Sequence, residues 1–288
     1  MSEQMPAGMT GRLLRVDLSQ GKTWVEQLSP KDCRDYLGGV GIGAKILYEE
    51  VPPEVQWNDP GNRLTMATGP LAGLPVWGSS MMCVVTRGPM TNGAVSTQAN
   101  GFFGTNLKYC GYDGIVLQGI SSKWVYLYIH NDTVELRDAS HLLGKDTWET
   151  QDDLQAETGY TGHQLSVYTG GLAGENQVRF SGIHGDYGHV ASKNGCGAVL
   201  GVKKVKAVAI VRGDKALSAH DPQGLFAVAD EIAHTLRTNP TTRTLYAYGT
   251  LPGVRNLGKL GVLPIRNYTT NEWPEGVDGD KWEAPNLR

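Results

Sequence analysis

The stretch that decides the fold reads GDYGHVASKNGCGAVLG and covers residues 185–201. Its five glycines lack the Cβ atoms that would hold a ligand away from the backbone. Successive backbone N–H groups in such a loop can cradle an anion, and a helix beginning at its end would add the positive end of a dipole. The stretch therefore predicts either a site for a phosphate-bearing cofactor or a glycine-rich turn between a strand and a helix.

Donor side chains lie in the middle of this stretch. His189, Ser192, Lys193 and Asn194 suit a phosphate group or the edge of a heteroaromatic ring. Cys196 lies among them, and we interpret it as a small residue at a crowded glycine turn. The charges that follow, Lys203-Lys204 and Lys206, predict a solvated junction between a helix and a strand more than a phosphate site.

The composition is that of a globular protein. The chain has 288 residues with 40% hydrophobic and 19% charged side chains, and its net charge of −3 gives no electrostatic support for a nucleic-acid partner. We expect no signal peptide and no membrane span, because no apolar run is long enough. The four cysteines have no CxxC-type spacing, which predicts no zinc or iron–sulfur site in this chain and a reducing, cytoplasmic location.

Alternating patterns and turn residues predict a mixed α/β domain over residues 1–212. Residues 11–18 and 23–28 predict a β-hairpin, and Ser29 followed by Pro30 predicts the start of a helix. A second helix is expected from about residue 44 to 50, and others near Leu107 and over residues 147–158. Further strands are expected at 63–68, 82–87, 94–98, 114–118, 124–130, 133–137, 164–168, 177–182 and 206–211.

Two other glycine segments need an interpretation. The run GGVGIG at 38–43 follows a helix and lacks the GxGxxG spacing of a dinucleotide site, so packing between helices explains it better. The segment ANGFFG at 99–104 follows a short strand and precedes a helix. It is either a second place where backbone touches a ligand, or a helix cap in which Phe102 and Phe103 are core residues.

The pattern changes near residue 213. Asp221-Pro222 begins an amphipathic helix that Asn239-Pro240 ends, and a short helix is expected over 241–248. We expect no long periodic segment beyond it. The sequence predicts that residues 213–288 are the beginning of a helical domain, which is incomplete in this chain.

Several phrases together resemble one known family. They are GRLLRVDLSQG, YLGGVGIGAKILY, ATGPLAG, FFGTNLKYCGYDGIVLQG, VYLYIHNDTVELRDASHLLGKDTWET, AGEN and NGCGAVLGVKKVKAVAI. In this order they closely resemble the N-terminal domain of the aldehyde:ferredoxin oxidoreductase family. The resemblance is strong over residues 10–215 and weaker over 216–275.

The resemblance implies an α+β fold, with two mixed β-sheets and flanking helices, followed by helical domains. It implies a tungsten or molybdenum bis-pterin cofactor, whose metal is held by dithiolene sulfurs with no obligatory protein ligand. Members of the family oxidise aldehydes to carboxylic acids and pass electrons to a [4Fe-4S] cluster and on to ferredoxin. One branch instead reduces the aromatic ring of benzoyl-CoA.

The resemblance also implies which residues contact the pterin. They fall into two short motifs: Gln98, Ala99, Asn100 and Gly101, then His189, Val190, Ser192, Lys193, Asn194, Gly195 and Gly197. Amide, hydroxyl and cationic side chains and bare backbone N–H groups suit pterin edges and phosphates.

Three positions depart from the family pattern. Lys193 stands where many relatives have arginine, and a lysine cannot form the bidentate fork. Met81 and His189 also stand where relatives usually have arginine, and the loss of two guanidinium groups would weaken phosphate binding. No catalytic residue is assigned for this reason.

The family's CxxCxxxC cluster motif is absent from this sequence. We therefore expect a C-terminal portion or a partner subunit to carry the [4Fe-4S] cysteines, with a ferredoxin-like carrier as electron acceptor and a homo-oligomer as a possible assembly. The alternative is a non-catalytic relative or assembly subunit without cofactor. A serine hydrolase is disfavoured because GxSxG is absent.

Overall fold

The computed structural model describes residues 4–272. Its contacts divide the chain into two compact units, Met1–Pro222 and Gln223–Arg288. The domain boundary expected after residue 212 stays a prediction. Among the described residues, no helix is both long and apolar enough to cross a bilayer.

The first unit contains two six-stranded mixed sheets, which confirms the expected fold class. The first sheet consists of β1 (Arg12–Asp17), β2 (Lys22–Gln27), β3 (Leu64–Thr68), β4 (Met82–Arg87), β5 (Ala94–Ala99) and β6 (Gly114–Gln118). Its spatial order is β2-β1-β6-β3-β4-β5, and β1 and β6 are its parallel pair. The predicted hairpin is β1 and β2, paired in antiparallel register.

The second sheet is built in the same way. It consists of β7 (Val125–His130), β8 (Thr133–Asp138), β9 (Leu165–Thr169), β10 (Ile183–Gly185), β11 (His189–Ala191) and β12 (Val205–Val211). Its order is β11-β10-β9-β12-β7-β8, with β7 and β12 parallel.

Nine α-helices occur among the described residues. They are α1 (Pro30–Tyr36), α2 (Gly39–Glu50), α3 (Phe103–Tyr109), α4 (Thr147–Thr158), α5 (Gly171–Glu175), α6 (Cys196–Val202), α7 (Pro222–Thr238), α8 (Pro240–Tyr248) and α9 (Leu251–Lys259). Short 3-10 turns occur at Ser140–Leu142 and Gly162–Gln164. The expected cap is present, because the Ser29 hydroxyl accepts a hydrogen bond from the backbone N–H of Asp32.

The main core lies between the inner faces of the two sheets. Leu14 of β1 and Val208 of β12 belong to this one buried cluster, to which α3 and α6 also contribute. The alternate residues Leu13 and Ala207 belong to separate outer clusters that contain α1, α2 or α4 residues. Both faces of these strands are therefore buried, at about 1.5–3 kcal/mol for each large apolar side chain.

A buried ion pair fixes α3, the helix that follows the first predicted motif. Lys108 and Asp113 are both about 1% exposed or less and pair with each other. Lys108 Nζ also donates to the carbonyl of Gly8, and Asp113 accepts from the backbone N–H of Gly11. The helix is thereby tied to the chain segment that precedes β1.

The expected start of α2 was wrong. The helix begins at Gly39 and includes most of the glycine run, which was expected to lie between the first helix and the second. A Cβ atom on Gly41 would overlap the carbonyl oxygen of Tyr36, and one on Gly43 would lie 2.5 Å from the Val85 side chain. The glycines allow α2 to approach both α1 and the first sheet, so close packing outweighs their low helix propensity.

The prediction of a strand at residues 177–182 was also wrong. Gln177 has a φ of 52°, and the N–H of Ser181 donates to the carbonyl of Val178, so the chain turns there. The strands that follow are the short β10 and β11. The helices α5 and α9 were not expected, because both are short and glycine-containing.

The prediction of a solvated lysine cluster was wrong for two of its three members. Lys203 and Lys206 are each 1% exposed. Lys203 Nζ donates to the carbonyls of Asn62 and Gly119, and burial lowers its pKa to about 7. Lys206 pairs with Glu175 and donates to the carbonyl of Lys145. Both amino groups therefore bind groups of the protein itself.

Candidate cofactor site

A cleft of about 640 Å³ lies beside α3. Its walls come from the loop between β3 and β4, from residues 100–109, and from the single residues His163 and Arg212. The volume is within the range of about 300–1,000 Å³ that is typical of small-molecule sites. Asn100 and Gly101 of the first predicted motif line it, and so does Met81.

The β3–β4 loop is held tightly against the start of α3. The backbone N–H of Thr105 donates to Ser80 Oγ at 3.0 Å, and the Thr68 hydroxyl donates to the carbonyl of Met81 at 2.9 Å. A Cβ atom on Gly104 would lie 2.6 Å from the carbonyl oxygen of Ser80. These contacts fix one wall of the cleft.

The opposite end of the cleft is polar. Asn106 is 1% exposed, and its Nδ2 donates to the carbonyls of Ile210 and His163 at 3.2 and 3.4 Å. Its Oδ1 has no hydrogen-bond partner among the described residues. The Arg212 guanidinium lies 4.3 Å from the centroid of the Tyr109 ring.

Three glycines of the 185–201 stretch are packed against the protein's own backbone. Cβ atoms on Gly195 and Gly201 would overlap the carbonyl oxygens of Arg179 and Gly174. The backbone N–H of Gly197 already donates to the carbonyl of Ser181 at 3.0 Å. Protein backbone fills the space beside these three glycines, which allows close packing around α6. The helix N-terminus is buried with them.

One residue that sequence reasoning missed joins the two motifs. Asp186 is 9% exposed and accepts hydrogen bonds from the N–H of Phe102 at 2.7 Å, the hydroxyl of Ser166 at 3.0 Å and the N–H of Val167 at 3.2 Å. Burial raises the pKa of its carboxyl group, partly offset by these hydrogen bonds. Asp186 has a φ of 46°, a left-handed conformation that is uncommon for a non-glycine residue. The sequence alone gives no sign of this conformation.

The two motifs are neighbours in space. A Cβ atom on Gly101, whose φ is 99°, would lie 3.1 Å from His189 Cδ2. The N–H of Lys193 donates to Thr97 Oγ1 at 3.1 Å, and Asn194 Nδ2 donates to the carbonyl of Ser96 at 3.0 Å. The first motif therefore lies at the end of β5, and the second motif forms hydrogen bonds with the same strand.

Only part of the predicted set lines the cleft. His189 and Val190 line a separate hollow of about 80 Å³ beside Trp148 and Tyr187. The other members divide into exposed and buried residues. Gln98, Ser192, Lys193 and Asn194 are exposed, whereas Ala99, Gly195 and Gly197 are buried. Cofactor contact by these residues stays a prediction.

No group of three or more His, Cys, Asp or Glu side chains in the described part of the chain could hold a metal ion. Among the same residues, Cys33, Cys83, Cys110 and Cys196 are free thiols. Burial raises the pKa of Cys196 to about 12 and that of Cys110 to about 11, which keeps both protonated at neutral pH.

Comparison with known proteins identifies the family. A model of the aldehyde ferredoxin oxidoreductase N-terminal domain matches residues 13–212. The chain is 36% identical over 93% of its length to a tungsten-containing aldehyde ferredoxin oxidoreductase of Pyrococcus furiosus, and 38% identical over 91% to that of Thermococcus kodakarensis. It covers 44% and 43% of those two proteins, so it spans less than half the length of these relatives.

A solved structure agrees with this assignment. The active site complex BamBC of benzoyl coenzyme A reductase, in complex with 1,5-dienoyl-CoA, contains a chain that matches with a TM-score of 0.83 and 34% identity. The match covers 97% of the present chain and 44% of that chain. The motifs, the two mixed sheets and the family match lead to one conclusion: the chain belongs to the aldehyde ferredoxin oxidoreductase family and contains its N-terminal domain.

Proposed function

We propose that this chain is the tungsten or molybdenum bis-pterin binding part of an aldehyde:ferredoxin oxidoreductase-like enzyme. The reaction is a two-electron oxidation of an aldehyde to a carboxylic acid, or a related low-potential reduction. Electrons pass to a [4Fe-4S] cluster outside this chain. The tungsten-containing relatives support the metal, and the benzoyl-CoA reductase relative supports the second type of reaction.

The observation that carries the proposal is the cleft beside α3. Asn100 and Gly101 line it, and the second motif packs directly against the first at Gly101. The cleft offers hydroxyl and amide groups, one guanidinium and the unpartnered Oδ1 of Asn106. A pterin carries both N–H donors and acceptors and ends in a phosphate, so this donor set fits the group.

The bound metal–pterin group would supply the change of oxidation state. This chain's own residues bind and orient the group. Asp186 fixes the backbone of the Asn100–Phe102 loop by accepting the Phe102 N–H, and Ser80 fixes the facing wall. Exposed Ser192 and Lys193 would contact polar or phosphate parts of the group from the adjacent loop. The rigid walls reduce the reorganisation needed on binding.

The remaining parts of the enzyme are proposed as well. A C-terminal portion or partner subunit carries the cluster cysteines, and a ferredoxin-like protein accepts the electrons. We place the assembly in the cytoplasm, with this chain in one or more copies.

The test is co-expression of the chain with a polypeptide that supplies the CxxCxxxC motif. We expect the purified assembly to contain tungsten or molybdenum by elemental analysis. Denaturation in air should release a fluorescent pterin. An assembled complex with neither metal nor pterin contradicts the proposal and favours a non-catalytic subunit, which the residues Met81 and His189 would then explain.

A further inference from the structure

The cleft contains one cationic side chain that the sequence motifs do not include. Of the described residues that line the cleft, Arg212 is the only arginine or lysine, and none is acidic. Its guanidinium lies over the Tyr109 ring, and no carboxylate is paired with it in the described part of the chain. An unneutralised guanidinium at a cleft wall is free to bind an anion.

The backbone around Arg212 is fixed. Its N–H donates to the carbonyl of Gln164 at 2.7 Å, and the thiol of Cys110 lies 3.2 Å from the carbonyl of Val211. A Cβ atom on Gly213 would overlap the carbonyl oxygen of Tyr109. The residue that carries the guanidinium is therefore packed against the end of α3 on both sides, and its side chain stacks on a ring of the same helix.

Asn106 connects the same segments from within. Its Nδ2 bonds to the carbonyls of Ile210 and His163 hold the end of β12 and the loop before β9 against α3. A flipped amide would place its oxygen against those two carbonyls, so the orientation is determined by the contacts. The Oδ1 atom is consequently left as a buried acceptor without a partner, which is costly unless a ligand group donates to it.

We propose that this end of the cleft, formed by Asn106, Tyr109, His163 and Arg212, is an anion subsite. Arg212 binds a phosphate or carboxylate group of the ligand, and Asn106 Oδ1 accepts a hydrogen bond from a donor on the same ligand. Met81 lines the same cleft, so Arg212 supplies from another segment the guanidinium that position 81 lacks. Whether the ligand group is a cofactor phosphate or the carboxylate of an acid substrate rests on the proposed function. The existence of the anion subsite does not rest on it.

The first test is titration of the full chain with inorganic phosphate, followed by ¹H–¹⁵N spectra. We expect phosphate to shift the signals of Gly101 and of the Asn106 side chain. Arg212→Gln should weaken binding at least tenfold, and Arg212→Lys, which keeps the charge but loses the fork, should weaken it about threefold. Arg179→Gln is the matched control, because Arg179 is exposed and lies outside the cleft.

A second variant keeps the test informative if Arg212→Gln fails to fold. Met81 is 42% exposed, so Met81→Arg should fold, and it would add a guanidinium to the same cleft. We expect phosphate to bind several-fold more tightly to this variant. Absence of phosphate-induced shifts in the wild-type cleft, or equal affinity in the wild type and in both Arg212→Gln and Met81→Arg, would overturn the proposal.

A third comparison separates the two ligand sources. Titration with benzoate replaces phosphate by a carboxylate on a flat ring. Preference for phosphate assigns the subsite to a cofactor phosphate, and equal or tighter benzoate binding assigns it to an acid substrate or product. Phosphate binding through Arg212 in a chain whose co-expressed assembly lacks pterin would retain the subsite and reject the proposed function.

Discussion

Two glycine-rich segments of this molecule both pack against protein, but only one of them also lines the large cleft. At residues 100–104, Gly101 lines the cleft, although a Cβ atom on it would lie 2.5 Å from Asp186 Oδ2. At residues 185–201, Gly195 and Gly201 border carbonyl oxygens of the protein's own chain. A missing Cβ atom shows that something approaches the backbone closely. It does not show whether that neighbour is a ligand or another segment of the protein.

The difference arises from what lies opposite each segment. The 185–201 stretch passes over α5 and the turn that contains Arg179, and these fill the space beside its glycines. The 100–104 segment faces the β3–β4 loop. Ser80 of this loop accepts a hydrogen bond from the Thr105 N–H at the start of α3, and the Gly73 carbonyl accepts one from the Tyr109 hydroxyl at its end. Gly195 and Gly201 therefore contribute to close packing, whereas Asn100 and Gly101 line the open cleft.

The largest expected effect sharpens this contrast. Gly195→Ala should lower the free energy of unfolding by about 3 kcal/mol or more, because it adds both overlap with a fixed carbonyl and strain at a φ of 73°. Gly188→Ala, in the same stretch but with no heavy atom within 4 Å, should change it by less than about 0.5 kcal/mol. Urea unfolding measures both, and equal effects would remove the distinction.

A smaller effect is expected at the residue that joins the two segments. Asp186→Asn keeps the side-chain size but places an NH₂ group against at least one of three donors. We expect a loss of about 2 kcal/mol in the free energy of unfolding. Asp35→Asn, at an exposed ion pair with Lys31, is the control and should cost less than about 0.5 kcal/mol.

The pH dependence of the same variant tests the environment of Asp186. Burial raises the pKa of this carboxyl group above its unfolded value, which is about 3.9. Between the two pKa values the native state holds more protons than the unfolded state, so stability from this group falls as the pH rises. The wild type should exceed Asp186→Asn by more near pH 4 than near pH 7. A constant difference across that range would show that the pKa is not raised.

The smallest expected effect is at the exposed loop. Lys193→Gln should change the free energy of unfolding by less than about 0.5 kcal/mol, because the side chain is exposed and the substitution keeps the backbone hydrogen bond to Thr97. In the co-expressed assembly it should lower pterin retention in a salt wash about twofold to fivefold. Lys123→Gln, at an exposed position just before β7, is the control. Unchanged retention would remove Lys193 from the site.

Local signals predicted the parts of the fold that depend on local chemistry. The hairpin of β1 and β2, the Ser29 cap and the bounds of α4 all follow from alternation or from residues at helix ends. The errors occurred where distant contacts decide. Gly43 is helical because Val85 packs against it, and Lys203 is buried because Asn62 and Gly119 supply carbonyls to it.

The cleft shows the same limit. Its polar end combines Asn106, His163 and Arg212, which are far apart in sequence and belong to no common motif. Asn100 and Gly101, which the resemblance to a family selected, line the cavity, and their contact with a cofactor stays a prediction. It had no means to predict that Arg212 and Met81 would line the same hollow, since that depends on how the two sheets are arranged.

The parallel strand pairs determine at which stage of folding this cavity can form. Leu13 pairs with Gly114 in the first sheet, and Val125 pairs with Val205 in the second. Each parallel pair therefore joins strands that are separated by a long segment of the chain. Folds dominated by such distant pairings form slowly, in milliseconds to seconds. Arg212 directly follows the last strand of the second sheet. The cleft that Arg212 lines can therefore form only after the second sheet has been completed.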